Sequence, residues 1–411
     1  MSFKLEKLGN YIDILPGFAF KSTDFVSDGV AVIKIKNICP PSVSLEDLTY
    51  VDNEIAEKSK KFILSYNDVL IAMTGSHINQ WASVVGRVAR IKYKNKTLLN
   101  QRVGKITIKQ NAQADIDYVY YFLSQDSVKI QLASTAGGAA NQANISPAHI
   151  KNLEFPCPDL ETQERIGGIL KAYDDLIENN KKQIKLLEEA AQRLYKEWFV
   201  DLRFPGHENV PVLDGVPEGW EKKKMKEVVV TTSGGTPSRG HAEYYRDGSF
   251  FWIKTKELDD GFIFETEEMI TEEAVNKSSA KILKAGSIVL AMYGATIGKL
   301  GITTTEMTCN QACCVFDMST FKNGTEFLFC WLLENRNFLV HQGKGSAQPN
   351  LSQEMIKNFE IILPDSQILE KFSSITSEFF SLKSSLQKKI LLLKSKRDTI
   401  LPKLMSGKIE V

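Results

Sequence analysis

The sequence predicts two α/β (α+β) globular modules in a tandem duplication, separated by two long antiparallel helices that form a coiled-coil spacer. Three observations support this fold class. Residue patterns recur in the same order about 206 positions apart, each copy begins with short β-rich runs and brief helices, and each copy ends in a long heptad-like run. The chain has 411 residues, which is nearly twice the repeat distance.

The duplication is visible as matching segments that keep their order along the chain. Ile150-Lys-Asn recurs as Ile356-Lys-Asn, 206 residues later. Val69-Leu-Ile-Ala-Met-Thr-Gly75 matches Ile288-Val-Leu-Ala-Met-Tyr-Gly294 at an offset of 219, as loop insertions in one copy require. Such a duplication predicts a pseudo-twofold axis that relates the two copies.

Each copy begins with a globular module of mixed α/β pattern. Val30-Ala-Val-Ile-Lys-Ile and Ser287-Ile-Val-Leu-Ala-Met predict strands, and residues 117–132 and 325–342 predict helices. We divide the chain into a first module at residues 1–157, a long helix and central spacer at 158–204, a second module at 205–363, and a second long helix at 364–411.

Apolar or small residues of each long helix recur at alternating steps of three and four, which is the pattern of a coiled-coil seam. Because one narrow seam cannot bury itself, we expect the two helices to pack on each other, as an antiparallel pair about 60 Å long. The predicted packing residues are Ile166, Ile169, Tyr173, Leu176, Ile184, Leu187, Leu194 and Trp198 in the first helix, and Phe372, Ile375, Phe379, Leu382, Leu386, Ile390, Leu393, Ile400 and Leu404 in the second.

The charge of the chain is balanced overall but uneven along the sequence. With 51 Lys and Arg against 50 Asp and Glu, the net charge is +1, which by itself gives no sign of a nucleic-acid ligand. Residues 69–114, however, contain eight basic residues and no acidic one, and residues 274–305 also lack acidic residues. Such stretches would attract a phosphate backbone, although a solvated basic loop balanced by acids from elsewhere is the alternative.

Duplex DNA has an approximate twofold symmetry that suits a duplicated protein with two separate modules. The segments Thr74–Gln80 and Tyr293–Lys299 each follow a strand and combine glycine with short polar side chains, but a tight turn explains them as well. Lysine pairs that alternate on predicted strands add phosphate contacts. The candidate DNA-binding residues are Lys34, Lys36, Thr74, Gly75, Ser76, His77, Asn79, Gln80, Arg87, Arg90 and Lys92, and in the second copy Lys254, Lys256, Tyr293, Gly294, Thr296 and Lys299.

Other repeated polar residues favour structural roles. The pairs Asn100-Gln101 and Asn310-Gln311 are interpreted as amides that bridge strands. The set Gln142, Asn144 and Ser146, which recurs as Gln348, Asn350 and Ser352, predicts a turn or helix cap. Asp159 and Asp365 follow prolines at the start of each long helix, where an aspartate caps the helix rather than serving a nuclease.

Catalysis finds little support in the sequence. There is no methyl-donor fingerprint, no Walker motif and no Ser/His/Asp or Cys/His grouping, so we predict no catalytic residue, no metal and no cofactor on this chain. Cys309, Cys313 and Cys314 have no Cys-x-x-Cys spacing, which favours buried reduced thiols over a metal site. The chain also has no signal-peptide pattern and no apolar run of 18 residues, so we expect a cytoplasmic protein.

The ordered double set of motifs resembles the specificity subunits of type I restriction–modification systems. The resemblance covers nearly the whole chain and is carried by Asp68-Val-Leu-Ile and Gly286-Ser-Ile-Val, by the Asn-Gln pairs, and by Glu164-Arg-Ile-Gly-Gly-Ile-Leu with its counterpart Glu370-Lys-Phe-Ser-Ser-Ile. The start of the second helix, Pro364-Asp-Ser-Gln-Ile-Leu-Glu370, departs modestly from the family pattern.

The resemblance implies a non-catalytic subunit in which each module recognises one half of a bipartite double-stranded DNA target. The helices would set the gap between the halves and dock two methyltransferase (modification) subunits. S-adenosylmethionine and ATP would bind to the modification and restriction/translocase partners, and no membrane is involved. The alternative from the residues alone is a coiled-coil scaffold with two protein-binding heads, and a duplicated metabolic enzyme is a third reading.

Overall fold

The computed structural model describes residues 3–137, 142–342 and 350–411. The chain divides into two compact units, which are Met1–Leu176 with Leu393–Val411 (unit 1) and Ile177–Leu392 (unit 2). Each unit therefore consists of one globular module and a part of both long helices. The mixed α/β fold class and the tandem organisation are confirmed.

Unit 1 contains two main sheets. The six-stranded sheet has the order Ile12–Pro16, Val103–Ile108, Val69–Ala72, Val88–Arg90, Ser42–Val43 and Ile38–Cys39. The five-stranded sheet has the order Phe25–Val26, Thr49–Val51, Val30–Ile33, Thr97–Leu99 and Ile63–Leu64. Two further antiparallel pairs join Leu5–Lys7 to Glu154–Pro156 and Thr74–Gly75 to Ala143–Asn144. The short pair places Asn144 directly opposite Thr74.

Unit 2 repeats these strand pairings. Its five-stranded sheet has the order Val230–Ser233, Cys313–Asp317, Ile288–Ala291, Leu300–Thr303 and Gly261–Ile263, and its three-stranded sheet has the order Met269–Ile270, Phe250–Ile253 and Thr308–Cys309. Glu221–Lys224 pairs with Glu360–Leu363, and Val212–Leu213 forms a hairpin with Val216–Pro217. A single bridge between Tyr293 and Asn350 takes the place of the Thr74–Asn144 pair. The two units therefore share their central strand pairings, as the duplication predicts, whereas Phe25–Val26, Ile38–Cys39 and Ile63–Leu64 extend the sheets of unit 1 without a counterpart in the described sheets of unit 2.

The module helices are more broken than the sequence predicts. In unit 1 they are Asn53–Lys58, Ile116–Ser124, Asp126–Thr135 and Pro147–Lys151, and in unit 2 Met225–Val228, Glu272–Asn276, Thr325–Glu334, Arg336–Gln342 and Gln353–Asn358. The predicted single helices at 117–132 and 325–342 are each two helices. Gln125 separates the first pair because its backbone is extended, with φ −64° and ψ 140°.

The two long helices run antiparallel within each unit. They span Leu160–Tyr195, which continues into a π-helical turn at Lys196–Val200, and Ser366–Met405. In unit 1, Arg165 Nη1 donates to the Val411 carbonyl at 3.3 Å and Arg397 Nη1 pairs with Asp174 at 2.5 Å. In unit 2, Lys383 Nζ pairs with Glu188 at 2.7 Å, and the rings of Phe372 and Tyr195 lie 6.3 Å apart. Residue numbers fall on one helix as they rise on the other, which confirms the predicted antiparallel direction.

The structure buries six of the predicted seam residues and exposes four. Ile166, Trp198, Phe372, Leu386, Ile390 and Leu404 are buried, whereas Tyr173, Ile184, Leu187, Leu194, Phe379, Leu393 and Ile400 are partly buried. Ile169, Leu176, Ile375 and Leu382 are 37%, 44%, 40% and 48% exposed, and their neighbours Leu170, Ile177, Thr376 and Lys383 are buried instead. The buried face shifts because each helix also packs against its own module: Leu170 and Ile166 belong to the same core as Tyr118 and Phe155.

The predicted caps are present in the described residues. Thr162 N donates to Asp159 Oδ1 at 2.9 Å and Ile368 N to Asp365 Oδ1 at 3.1 Å, so both aspartates cap a long helix. Met355 N donates to Ser352 Oγ at 3.1 Å, and Ser146 begins the helix Pro147–Lys151. Gln348 lies outside the described residues.

The structure shows where the cysteines lie and whether its described residues include a metal-binding group or a membrane-spanning helix. Cys309, Cys313, Cys314 and Cys330 are free and buried, and burial raises the pKa of Cys314 and Cys330. Within the described ranges there is no group of three or more His, Cys, Asp or Glu side chains arranged to hold a metal ion. No helix among the described residues is both long enough and apolar enough to cross a bilayer.

Candidate nucleic-acid interface

The loop after the central strand of unit 1 is closed at its base and polar at its tip. Ser76 N donates to the Ser83 carbonyl at 2.9 Å, and Ser76 Oγ donates to the Gln80 carbonyl at 2.6 Å, so the serine holds the loop together. Gly75 is required beside it, since a Cβ at this position would lie 2.6 Å from the Ser83 carbonyl oxygen. We refer to residues 76–83 as the unit 1 loop.

The exposed tip of the unit 1 loop combines amide and apolar side chains. Asn79 and Gln80 are exposed and His77 is half-buried. Ile78 and Trp81, which are not among the predicted DNA-binding residues, are 56% and 41% exposed. Amides can pair with base edges and exposed aromatic rings can contact bases or sugars, so the tip has the chemistry of a nucleic-acid contact.

Several predicted basic contacts serve the fold instead. Arg90 is 4% exposed and forms an ion pair with Asp117, so it is not presented to a ligand. Arg87 Nη1 donates to the Ala82 carbonyl at 2.8 Å, and this hydrogen bond stabilises the unit 1 loop. Lys92 lies 3.8 Å from Asp175. The acid-free stretch is thus partly neutralised by acids from other segments.

The predicted strand positions of the lysine pairs are wrong. The strands end at Ile33 and Ile253, and 3-10 turns follow at Ile35–Asn37 and Thr255–Glu257. In unit 1, Lys34 N donates to Asn37 Oδ1 at 3.0 Å, which turns the chain out of the sheet.

The side chains of these lysines face other groups of the protein. The Lys34 ammonium lies 3.7 Å from the Phe25 ring centroid, and burial, aided by the charge of Lys36, lowers its pKa. Lys36 forms an ion pair with Asp47. In unit 2, Lys254 pairs with Glu268 at 2.7 Å and Lys256 pairs with Glu267. A phosphate contact by Lys36, Lys254 or Lys256 would compete with these carboxylates.

The corresponding loop of unit 2 is shorter and glycine-rich. Gly294 and Gly298 have φ angles of +87° and +81°, so both positions favour glycine. Tyr293 and Thr296 are partly buried, and Gly294 is exposed. We refer to residues 293–298 as the unit 2 loop.

Lys299 belongs to an ion-pair cluster rather than to a free surface. Asp260 accepts from Lys299 Nζ at 2.8 Å, from Arg336 Nη2 at 2.5 Å and from the Leu300 backbone at 3.0 Å. Burial alone would raise the pKa of Asp260, but these hydrogen bonds and the charge of Arg336 lower it overall. The cluster holds the base of the unit 2 loop.

The Asn-Gln pairs have divided roles. Asn100 and Asn310 each accept a backbone N–H two residues on, at 3.4 Å and 3.1 Å, which closes a local turn rather than the bridge between strands that the sequence predicts. Gln101 is exposed, whereas Gln311 accepts from Thr236 Oγ1.

Sequence reasoning missed Arg102 and Asn144 as site residues. Arg102 follows the first Asn-Gln pair and is exposed, and its Nη1 donates to Thr74 Oγ1 and Asn144 Oδ1, both at 3.2 Å. The recurrence of Asn144 as Asn350 was a signal that could have drawn attention to this place.

A family model and two known proteins that match this chain all belong to type I restriction systems. A family model described as "Type I restriction modification DNA specificity domain" matches residues 13–189 and again 217–393. The MjaIX specificity subunit of a type I restriction enzyme from Methanocaldococcus jannaschii is 30% identical over 324 residues, which cover 77% of this chain and 74% of that protein. The MjaVIII specificity subunit from the same organism is 27% identical over 415 residues. The matched region covers 96% of this chain and 86% of that protein.

A solved structure has a similar fold. The crystal structure of the type I restriction–modification system S subunit from M. genitalium matches with a TM-score of 0.62 and 16% sequence identity, and covers 98% of this chain and 96% of that chain.

Proposed function

We infer the function from the premise that this chain belongs to the type I restriction–modification DNA specificity family, of which it carries two domains in tandem. The chain is a specificity subunit, and it recognises DNA rather than cutting or methylating it. The observation that carries this conclusion is the pair of family domains with the same strand pairings in both units. Duplicated recognition modules suit a target in two parts.

Each unit is proposed to recognise one half of a bipartite DNA target. The unit 1 loop, with Asn79, Gln80 and Trp81, is proposed to contact the first half, and the unit 2 loop, with Gly294 and Thr296, the second. The support is local, since both loops follow the matching strands Val69–Ala72 and Ile288–Ala291 and both offer short polar groups. His77 and Tyr293 flank these groups and remain candidates for the same contact.

The long helices are proposed to set the gap and to dock two methyltransferase (modification) subunits. Their exposed apolar residues support this. Ile169 and Leu176 in unit 1 correspond, 206 residues apart, to Ile375 and Leu382 in unit 2. Two equivalent apolar surfaces suit two copies of one partner. S-adenosylmethionine and ATP are proposed to bind to modification and restriction/translocase subunits, not to this chain.

Mapping methylated adenine in the genome of the host tests this function. We expect a bipartite motif that disappears when the gene for this chain is deleted and returns when the gene is restored. Replacing Asn79 and Gln80 by Ala should relax one half of the motif and leave the other unchanged. A motif that persists in the deletion strain would contradict the proposal.

A further inference from the structure

Arg102 lies in a turn whose backbone is fixed from two sides. Gln101 N donates to the Phe18 carbonyl at 2.9 Å, and Met73 N donates to the Arg102 carbonyl at 2.9 Å. The turn therefore joins two separate segments of unit 1, one of which leads directly into Thr74. The main chain of Arg102 has a defined position next to the strand pair of Thr74 and Asn144.

The guanidinium of Arg102 is oriented by two neutral acceptors. Its Nη1 donates to Thr74 Oγ1 and to Asn144 Oδ1, each at 3.2 Å, and Thr74 Oγ1 donates to Asn144 Oδ1 at 2.8 Å. Thr74 is only 6% exposed, and its strand pairing with Asn144 fixes both acceptors. Because the amide oxygen of Asn144 accepts both bonds, its NH₂ group points away from them.

Arg102 differs from Arg90 in having no counter-charge among the described residues, and it is more exposed than Arg87. Arg90 is paired with Asp117 and buried, whereas Arg102 is exposed and pairs with no carboxylate in the portion of the chain that is described. A guanidinium has five N–H donors in a planar fork, and the two bonds from Nη1 leave the Nη2 and Nε donors. Together with the Asn144 NH₂ group, these form an oriented set of donors.

We propose that Arg102, positioned by Thr74 and Asn144, is a specificity-determining residue that donates two hydrogen bonds to one guanine in the half-target of unit 1. This inference rests on the proposed function. A pair of acceptors on DNA is what such a fork recognises, and the guanine O6 and N7 atoms are the pair that carries sequence information. Two phosphate oxygens offer the same acceptor chemistry without sequence information.

The second unit has no arginine at the position equivalent to Arg102, so the effect belongs to one half of the target. The counterpart of Asn144 is Asn350, which forms a bridge with Tyr293 in the place of Thr74. The residue after the second Asn-Gln pair is Ala312, in the place of Arg102. The two units therefore differ in charge at an equivalent position.

The experiment maps methylated adenine produced by the full complex of this chain with its modification subunits. The variants are Arg102→Ala, Arg102→Lys and the control Lys96→Ala, which removes an exposed positive charge from the same acid-free stretch. For both Arg102 variants we expect a loss of about 10-fold or more in the preference for guanine at one position, since lysine cannot form the bidentate pair. The other half of the motif should be unchanged, and Lys96→Ala should keep the whole motif.

Two results would overturn the inference. A uniform loss of methylation at all sites with an unchanged motif would make Arg102 a phosphate contact, and an unaltered motif at full methylation would remove it from the interface. Arg102→Lys keeps the charge, and its thermal unfolding checks that the fold is intact. If the wild-type complex itself produced no bipartite motif, the proposed function would fail, which is distinct from both results.

Discussion

Arg90 is a basic residue that supports the core of unit 1. Its side chain is 5% exposed and pairs with Asp117, and its guanidinium carbon lies 4.1 Å from the Tyr120 ring centroid. Lys171 Nζ lies 3.6 Å from the same carboxylate but is more exposed. Removing one partner of a buried ion pair leaves the other charge without compensation, which typically costs about 3–5 kcal/mol.

The first prediction follows from this pair. Arg90→Ala should lower the free energy of unfolding by about 3 kcal/mol or more, because the carboxylate of Asp117 stays partly buried. Lys96→Ala, at an exposed position of the same basic stretch, should change it by less than about 0.5 kcal/mol. Chemical denaturation of both variants measures the difference, and equal losses would contradict a structural role for Arg90.

The ion-pair cluster at Asp260 predicts a pH dependence of stability. The pKa of Asp260 is lowered in the folded protein, so its contribution is present above the ordinary carboxyl pKa of about 3.9 and is lost as the pH falls through the folded pKa. Asp260→Asn should therefore lower the melting temperature at pH 7, and the difference from wild type should shrink below about pH 4. A difference that grows in acid would reverse the assigned sign.

At the scale of the elements, the long helices distinguish neighbouring positions sharply. Leu176 is 44% exposed, whereas Ile177 is 3% exposed. Ile177→Ala should cost about 2–5 kcal/mol of unfolding free energy, and Leu176→Ala, the matched control, less than about 0.5 kcal/mol. Leu176→Ala should instead weaken the binding of modification subunits, which co-purification measures. Equal destabilisation by both variants would contradict the buried face described for this helix.

The spacing of apolar residues predicted where the long helices lie, but not every residue that they bury. Steps of three and four identify a helix from local sequence, whereas the choice of Leu170 over Ile169 depends on the module that packs beside it. In the same way, alternation placed Lys34 on a strand, and the side chain of Asn37 ends that strand. Contacts made by residues distant in sequence decide such details.

The candidate site was predictable in outline only. The unit 1 loop was found from the preceding Gly75 and from its own polar residues, which belong to one short segment. The acids that neutralise the basic stretch, such as Asp117, come from outside it, so the burial of Arg90 could not be seen in the segment alone. The cluster of Arg102, Thr74 and Asn144 joins three segments and requires the fold.

At the scale of the whole molecule, duplication predicted the architecture well because both copies must satisfy the same pairings. The two copies differ in the residues that join their long helices. Unit 1 joins its two helices through Arg397 and Asp174, the latter also accepting from Tyr121 at 2.8 Å, whereas unit 2 uses Lys383 and Glu188. Each ion pair fixes the alignment of two antiparallel segments.

The central claim is that each unit recognises one half of the target while the helices set the gap. Deleting one heptad from each helix, residues 180–186 and 386–392, removes matching segments 206 residues apart. Seven residues correspond to about 10 Å of helix, or up to about three base pairs.

The most direct test maps methylated adenine in cells that express this shortened chain with its modification subunits. We predict the same two half-sequences with a shorter gap between them. An unchanged gap beside unchanged half-sequences would contradict the role of the helices, and altered half-sequences would contradict the independence of the two units.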